Sequence, residues 1–97
     1  MDPSISTAIR TKHMVEFDYG GHHRVAEPHI YGRKSGVDQL LVFQVGGTSS
    51  SGGLPQWRRV DVHRMTALTV LVRTFAGARP NPSGERSSWD VVYEIVT

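Results

Sequence analysis

The chain has no cysteine, which excludes a disulfide framework and a thiolate zinc site. That absence fits a reducing compartment, and the expected location is the cytoplasm. No long hydrophobic run is present: no stretch approaches the roughly 18 apolar residues of a membrane span, and "MDPSISTAIR" lacks the apolar segment of a signal peptide. Charge of one sign is not in excess either. Eleven Lys and Arg stand against nine Asp and Glu, a net charge of +2, so charge alone does not argue for nucleic acid. Hydrophobic residues make up 38% of the chain, which predicts a thin core. Missing as well are the G-x-S-x-G elbow, the G-x-x-x-x-G-K-[ST] phosphate loop and the H-E-x-x-H metal motif, so the sequence is read as that of a non-enzyme needing no cofactor. Nothing resembles the second helix of a helix-turn-helix.

What is present is the patterning of one small β-rich domain over residues 1–97. "DPSISTAIRTKH" predicts one helix: Asp2 or Ser4 caps it, Pro3 suits its first position, and Ile5, Ala8 and Ile9 share a face. "MVEFDYGGHHRVAEP" predicts a hairpin, with Val15, Phe17 and Tyr19 alternating against Glu16 and Asp18 around a Gly20-Gly21 turn. Pro28 cannot donate to a ladder, so the facing is expected to change before Ile30 and Tyr31. "QLLVFQV" is apolar on both parities and is expected to be the most buried strand. "GGTSSSGG" is read as a surface loop. In "QWRRVDVHRM", Val60 and Val62 face one way with Arg58 and Arg64, while Trp57, Arg59, Asp61 and His63 face the other. "ALTVLVRTF" is a fifth strand with Leu68, Val70 and Val72 on one side. In the tail, Trp89, Val92, Tyr93 and Val96 share a helical face with Ser88 as a cap, which favours a short helix, while the β-branched content favours a strand. The fold class expected is mainly β: a strongly bent five-stranded antiparallel sheet or small barrel, with an N-terminal helix and a short C-terminal helix or strand.

The chemistry-bearing residues are chiefly arginines. Nine of the eleven basic residues are Arg, and arginine's planar fork suits phosphate and carboxylate as lysine does not. Arg24, Arg58, Arg59 and Arg64 fall on strands, with Tyr19, Tyr31 and Trp57 near strand ends. A cationic groove with stacking aromatics is the way small barrels bind single strands. Against this stands the pairing of the same arginines with Glu16, Asp18, Glu27 and Asp61, with the aromatics merely closing the barrel. His22 and His23, adjacent at a hairpin tip, point to opposite faces. Glu27 and His29, two apart, form a carboxylate–imidazole pair which, with His63, is the set a metal-assisted hydrolase would use.

The run "AIRTKHMVEFDYGGHHRVAEPHIYG", then "QLLVFQV", then "WRRVDVHRM", resembles the WYL domain family over about residues 5–75, leaving 76–97 as a C-terminal extension. Tyr19 matches the tyrosine closing the family's first strand, Arg24 and Pro28 its Arg-to-Pro segment, and Arg64 the second arginine of its arginine-bearing strand. Leu40 and Leu41 replace the namesake Trp and Tyr, and Asp61 stands where the first arginine usually sits. The resemblance implies an Sm-like barrel and a regulatory module of bacterial transcription regulators that senses nucleotides or single-stranded nucleic acid, here without the helix-turn-helix that commonly precedes it. The site expected is Tyr19, Arg24, Arg58 and Arg64 gripping an anionic ligand, with Trp57 stacking on a base. The alternative is a protein-interaction module with no small ligand. A sheet edge also makes a homo-oligomer an expected form.

Overall fold

The computed structural model describes residues 2–48, 53–80 and 89–97. Its order is α1 (Pro3–Thr11), β1 (His13–Tyr19), β2 (His22–Lys34), β3 (Val37–Gly47), β4 (Gln56–Asp61), a 3-10 turn (Val62–Arg64), β5 (Thr66–Thr74) and β6 (Val91–Ile95). The serine-rich part of the "GGTSSSGG" loop and most of the polar excursion before Trp89 lie outside the described residues.

Helix α1 forms where the spacing puts it. The Asp2 side chain accepts from the Ser4 amide at 2.9 Å, Pro3 takes the first turn, and Lys12 closes the helix in the left-handed region. Ile5, Ala8 and Ile9 are buried on its inner face. The Asp2 amide donates to the Tyr31 hydroxyl at 2.8 Å, which ties the start of the helix to the far half of β2.

All strand pairs are antiparallel, in the order β4-β3-β2-β1-β5. β6 lies off this path. It pairs with Ile30–Arg33, on the same edge of β2 that β1 covers from His22 to Ala26. A single long strand therefore carries two partners end to end. Gly20 and Gly21 both take positive φ, 59° and 80°, which is what a two-residue hairpin turn matched to the strand twist requires.

Two clusters occupy the two faces of the sheet. The inner one gathers α1 with Val15, Phe17, Ala26, Tyr31, Leu40, Val42, Val60 and Val96. The outer one holds Ile30, Leu41 and Trp89, with Trp57 and Ile95 against it. The switch of facing expected after Pro28 is present as a register irregularity between Pro28 and Ile30. It leaves Ile30 in the outer cluster and Tyr31 in the inner one, the reverse of what unbroken alternation from Ala26 would give.

Several expectations are corrected. The tail, for which helix and strand were both open, is a strand: Asp90 donates its amide to the Arg33 carbonyl and Val96 donates to the His29 carbonyl, and these ladder bonds outweigh a helical periodicity that is only nine residues long. The most continuously buried strand is β2, from Ala26 to Gly32, the middle strand of the sheet, with β3 on one edge and β1 and β6 on the other. β4 stops at Asp61, so Val62, His63 and Arg64 sit on the turn rather than on the strand. In β5 the half-buried residues are Leu68 and Leu71, while Val72 is 94% exposed. The alternation breaks because the register with β1 shifts between Val15↔Val70 and His13↔Thr74. With the tail as its sixth strand among the described residues, the sheet is not closed.

The sheet nevertheless curls. The amide of Asp61, at the end of β4, donates to the Tyr19 hydroxyl at the end of β1 at 3.1 Å, although β3 and β2 lie between them in hydrogen-bonding order. Among the described residues no helix is long and apolar enough to cross a membrane.

Candidate functional site

Alternation along each strand decides which side chains meet at the end of the inner face. Tyr19 continues the parity of Val15 and Phe17, Arg24 that of Ala26, Gln44 that of Leu40 and Val42, and Arg58 that of Val60. Register aligns them: Phe17 faces Arg24, Ala26 faces Gln44, and Val42 faces Arg58. Where the apolar residues run out, four polar or amphipathic side chains form the next layer.

Arg24 is 5% exposed. Its Nε and Nη2 donate to the Tyr19 carbonyl at 3.3 and 3.2 Å, and its Nη1 donates to Gln44 Oε1 at 3.1 Å. Arg58 Nε donates to the same Gln44 oxygen, also at 3.1 Å. Gln44, fully buried, is held the right way round by its own amide hydrogens: Nε2 donates to the Gly46 and Thr48 carbonyls at 3.0 and 3.1 Å. Arg64 reaches over from the 3-10 turn, its guanidinium carbon 5.3 Å from the Tyr19 ring centre, and that of Arg24 lies 5.7 Å from the same ring. Burial, and after it the neighbouring Arg58 charge, lowers the Arg24 pKa from its ordinary value; arginine stays protonated regardless.

The carboxylates expected to neutralise these arginines are occupied elsewhere. Glu16 and Asp18 both face His23, Glu27 holds Arg79, and Asp61 accepts from Gln39 Nε2 at 2.9 Å on the outer face. Neither Arg24 nor Arg64 forms an ion pair among the described residues. Arg24 therefore keeps a buried positive charge answered by two neutral oxygens.

Tyr19, Arg24, Arg58 and Arg64 are thus brought together as the sequence suggested. Trp57 is not with them. It lies on the opposite face, 5.1 Å from Phe43, its cross-strand partner, and 4.8 Å edge-on to His29, since neighbours on a strand point to opposite sides. Leu40 and Leu41 are buried in the inner and outer clusters, so neither lines a groove. Gln44 is the member sequence reasoning missed; its signal was a lone amide on the apolar parity of "LLVFQV". Arg33 and His63 line a separate surface depression of about 420 Å³ with Gly36, Val37, Asp38 and Val62. Glu27, His29 and His63 do not form a metal set: among the described residues no three His, Cys, Asp or Glu side chains stand where they could hold a metal ion. No family model, curated protein or solved structure matches the chain.

Proposed function

We propose that the protein is a non-enzymatic binding module for a nucleotide or single-stranded nucleic acid, and that the phosphate enters the layer formed by Arg24, Arg58 and Arg64 around Tyr19. The observation that carries this reading is the charge imbalance at Arg24, a guanidinium buried beside that of Arg58 and itself answered, among the described residues, by neutral acceptors only. Desolvating a cation without an anion is costly, and a bound phosphate oxygen removes that cost with charge-assisted hydrogen bonds. Gln44 supports the reading by aligning both forks on one point. Trp57 has no part in it, so a stacking contact falls to Tyr19. The curl of the sheet, with β1 and β4 joined through the Tyr19 hydroxyl, supports an Sm-like barrel and with it the WYL-like regulatory reading.

The test is thermal stabilisation by a nucleoside 5′-monophosphate against its nucleoside. The nucleotide raises the melting temperature, the nucleoside does not, and Arg64→Ala weakens the effect several-fold while leaving the unliganded melting temperature unchanged. Equal responses to nucleotide and nucleoside contradict the assignment.

A protein-interaction module is the second reading, favoured by one observation: Val72 on the outermost strand β5 is 94% exposed and Val70 is 38% exposed. It predicts a concentration-dependent oligomer in sedimentation that Val72→Lys dissolves, with no response to nucleotides.

A further inference from the structure

After β5 the chain runs through Phe75–Pro80 without regular structure, with Phe75 packed against the inner cluster and Arg79 reaching Glu27 and Phe43 on the outer face. Phe75 stacks on His29, ring centres 5.7 Å apart. Arg79 makes contacts of three kinds there. Its guanidinium forks onto Glu27, with Nε to Oε1 at 2.6 Å and Nη2 to Oε2 at 3.0 Å. The guanidinium carbon lies 4.6 Å from the Phe43 ring centre. Its backbone amide donates to His29 Nε2 at 3.2 Å. That last bond fixes the tautomer: Nε2 accepts, so the proton is on Nδ1, which donates to the Glu27 carbonyl at 2.9 Å.

These three contacts recognise an arginine residue rather than a cation. The paired carboxylate oxygens match the fork, the aromatic face takes the guanidinium plane, and the imidazole reads a main-chain N–H. The receiving groups and the occupant differ in their setting. The Glu27 side chain is 6% exposed on the central strand, whereas the Arg79 side chain is 47% exposed on an irregular segment.

We propose that Glu27, Phe43 and His29 form a binding site for one arginine residue of an extended peptide, filled in this state by Arg79 and open to an arginine-bearing segment of a partner chain when the strap lifts. His29 couples the site to pH. The charged groups facing its ring are Glu27 from β2 and Arg79 from the strap, while β4 presents only the Trp57 ring. Protonating Nε2 removes the acceptor for the peptide N–H and places a cation beside the guanidinium, so acid weakens occupancy.

The test uses full-length Arg79→Ala and two capped tripeptides, Ala-Arg-Pro (the strap's own residues 78–80) and Ala-Lys-Pro, followed by NMR at the Trp57 indole and the His29 ring. The Arg peptide is expected to bind saturably at pH 7.5. The Lys peptide should bind about tenfold or more weakly, since an ammonium cannot fork. Wild type should bind the Arg peptide less well than the variant, because tethered Arg79 competes at high effective concentration. Adding Glu27→Gln abolishes binding, and binding falls as His29 is protonated. Equal binding of both peptides, or no binding of either, overturns the proposal. Should Arg79→Ala fail to fold, Arg79→Lys gives the same reading, because its ammonium yields the fork position to the peptide.

Discussion

Arg24 holds its charge on a side chain that is 5% exposed, answered by a backbone carbonyl and an amide oxygen. A buried cation so placed adds little to the stability of the empty protein, because desolvation offsets its hydrogen bonds. Arg24→Met is therefore expected to cost no more than about 1 kcal/mol in urea denaturation without anions, yet to abolish stabilisation by nucleotide. A loss of several kcal/mol would assign Arg24 to the core alone. His29 makes the opposite kind of statement. Burial chiefly lowers its pKa, with Arg79 adding to the effect and Glu27 opposing it. The folded ring thus binds a proton less readily than the unfolded one, whose value is about 6.5. Its contribution to stability is complete above about 6.5 and is lost as pH falls from there through the lowered folded value. His23, held by Asp18 and Glu16, is shifted upward and works in the reverse sense, so the contribution of His29 is read by comparison. His29→Gln should show a smaller fall in urea midpoint between pH 7.5 and 5 than wild type; equal falls would contradict the assignment. At this scale the shared facing of Tyr19, Arg24 and Arg58 was legible because strand parity is local, whereas Arg64 joins them from a turn and not by strand parity. Trp57 was placed in the site although its parity already put it opposite Arg58. The partner of Glu27 was not legible, because pairing across 52 residues, as with Arg79, leaves no trace in spacing; that of Glu16 and Asp18, His23, lies just across the expected hairpin and was missed.

Among the elements, β6 shows how tertiary pairing overrides local pattern. Trp89, Val92, Tyr93 and Val96 spell a helical face, yet the segment adds to the free half of β2. Gly32 makes that approach feasible: a Cβ there would strike the Val91 carbonyl oxygen and crowd the Trp89 ring at 2.8 Å. Gly32→Ala is expected to cost about 2 kcal/mol, as overpacking does, with hydrogen-exchange protection lost from β6 first. Unchanged protection in β6 would mean that the strand tolerates the added methyl. Helix α1, the Gly20-Gly21 hairpin and the change of facing after Pro28 could be read in advance, since each rests on residues adjacent in sequence. The end of β4 could not. "VDVHRM" alternates well enough to be a strand, and only the need to cross from β4 to β5 turns Val62–Arg64 into a 3-10 turn. That turn is also what swings Arg64 over Tyr19.

For the whole molecule, a net charge of +2 is too small to attract nucleic acid by itself, so the proposed binding rests on where the cations stand. They are divided between the two faces. On the inner face Arg24, Arg58 and Arg64 converge, with no carboxylate on Arg24 or Arg64 among the described residues, while on the outer face Arg79 is matched to Glu27. In the proposed function it is the inner face that takes the anion. The measurement that tests this most directly is the salt dependence of single-stranded DNA and RNA binding, followed by fluorescence anisotropy with labelled oligonucleotides of mixed sequence. For a single strand, log K falls with log salt by about 0.7 per phosphate neutralised. Three arginines then predict a slope near −2, and Arg64→Ala should make it shallower by about 0.7. Binding absent at low salt, or a slope unchanged in Arg64→Ala and Arg24→Met alike, would contradict the account.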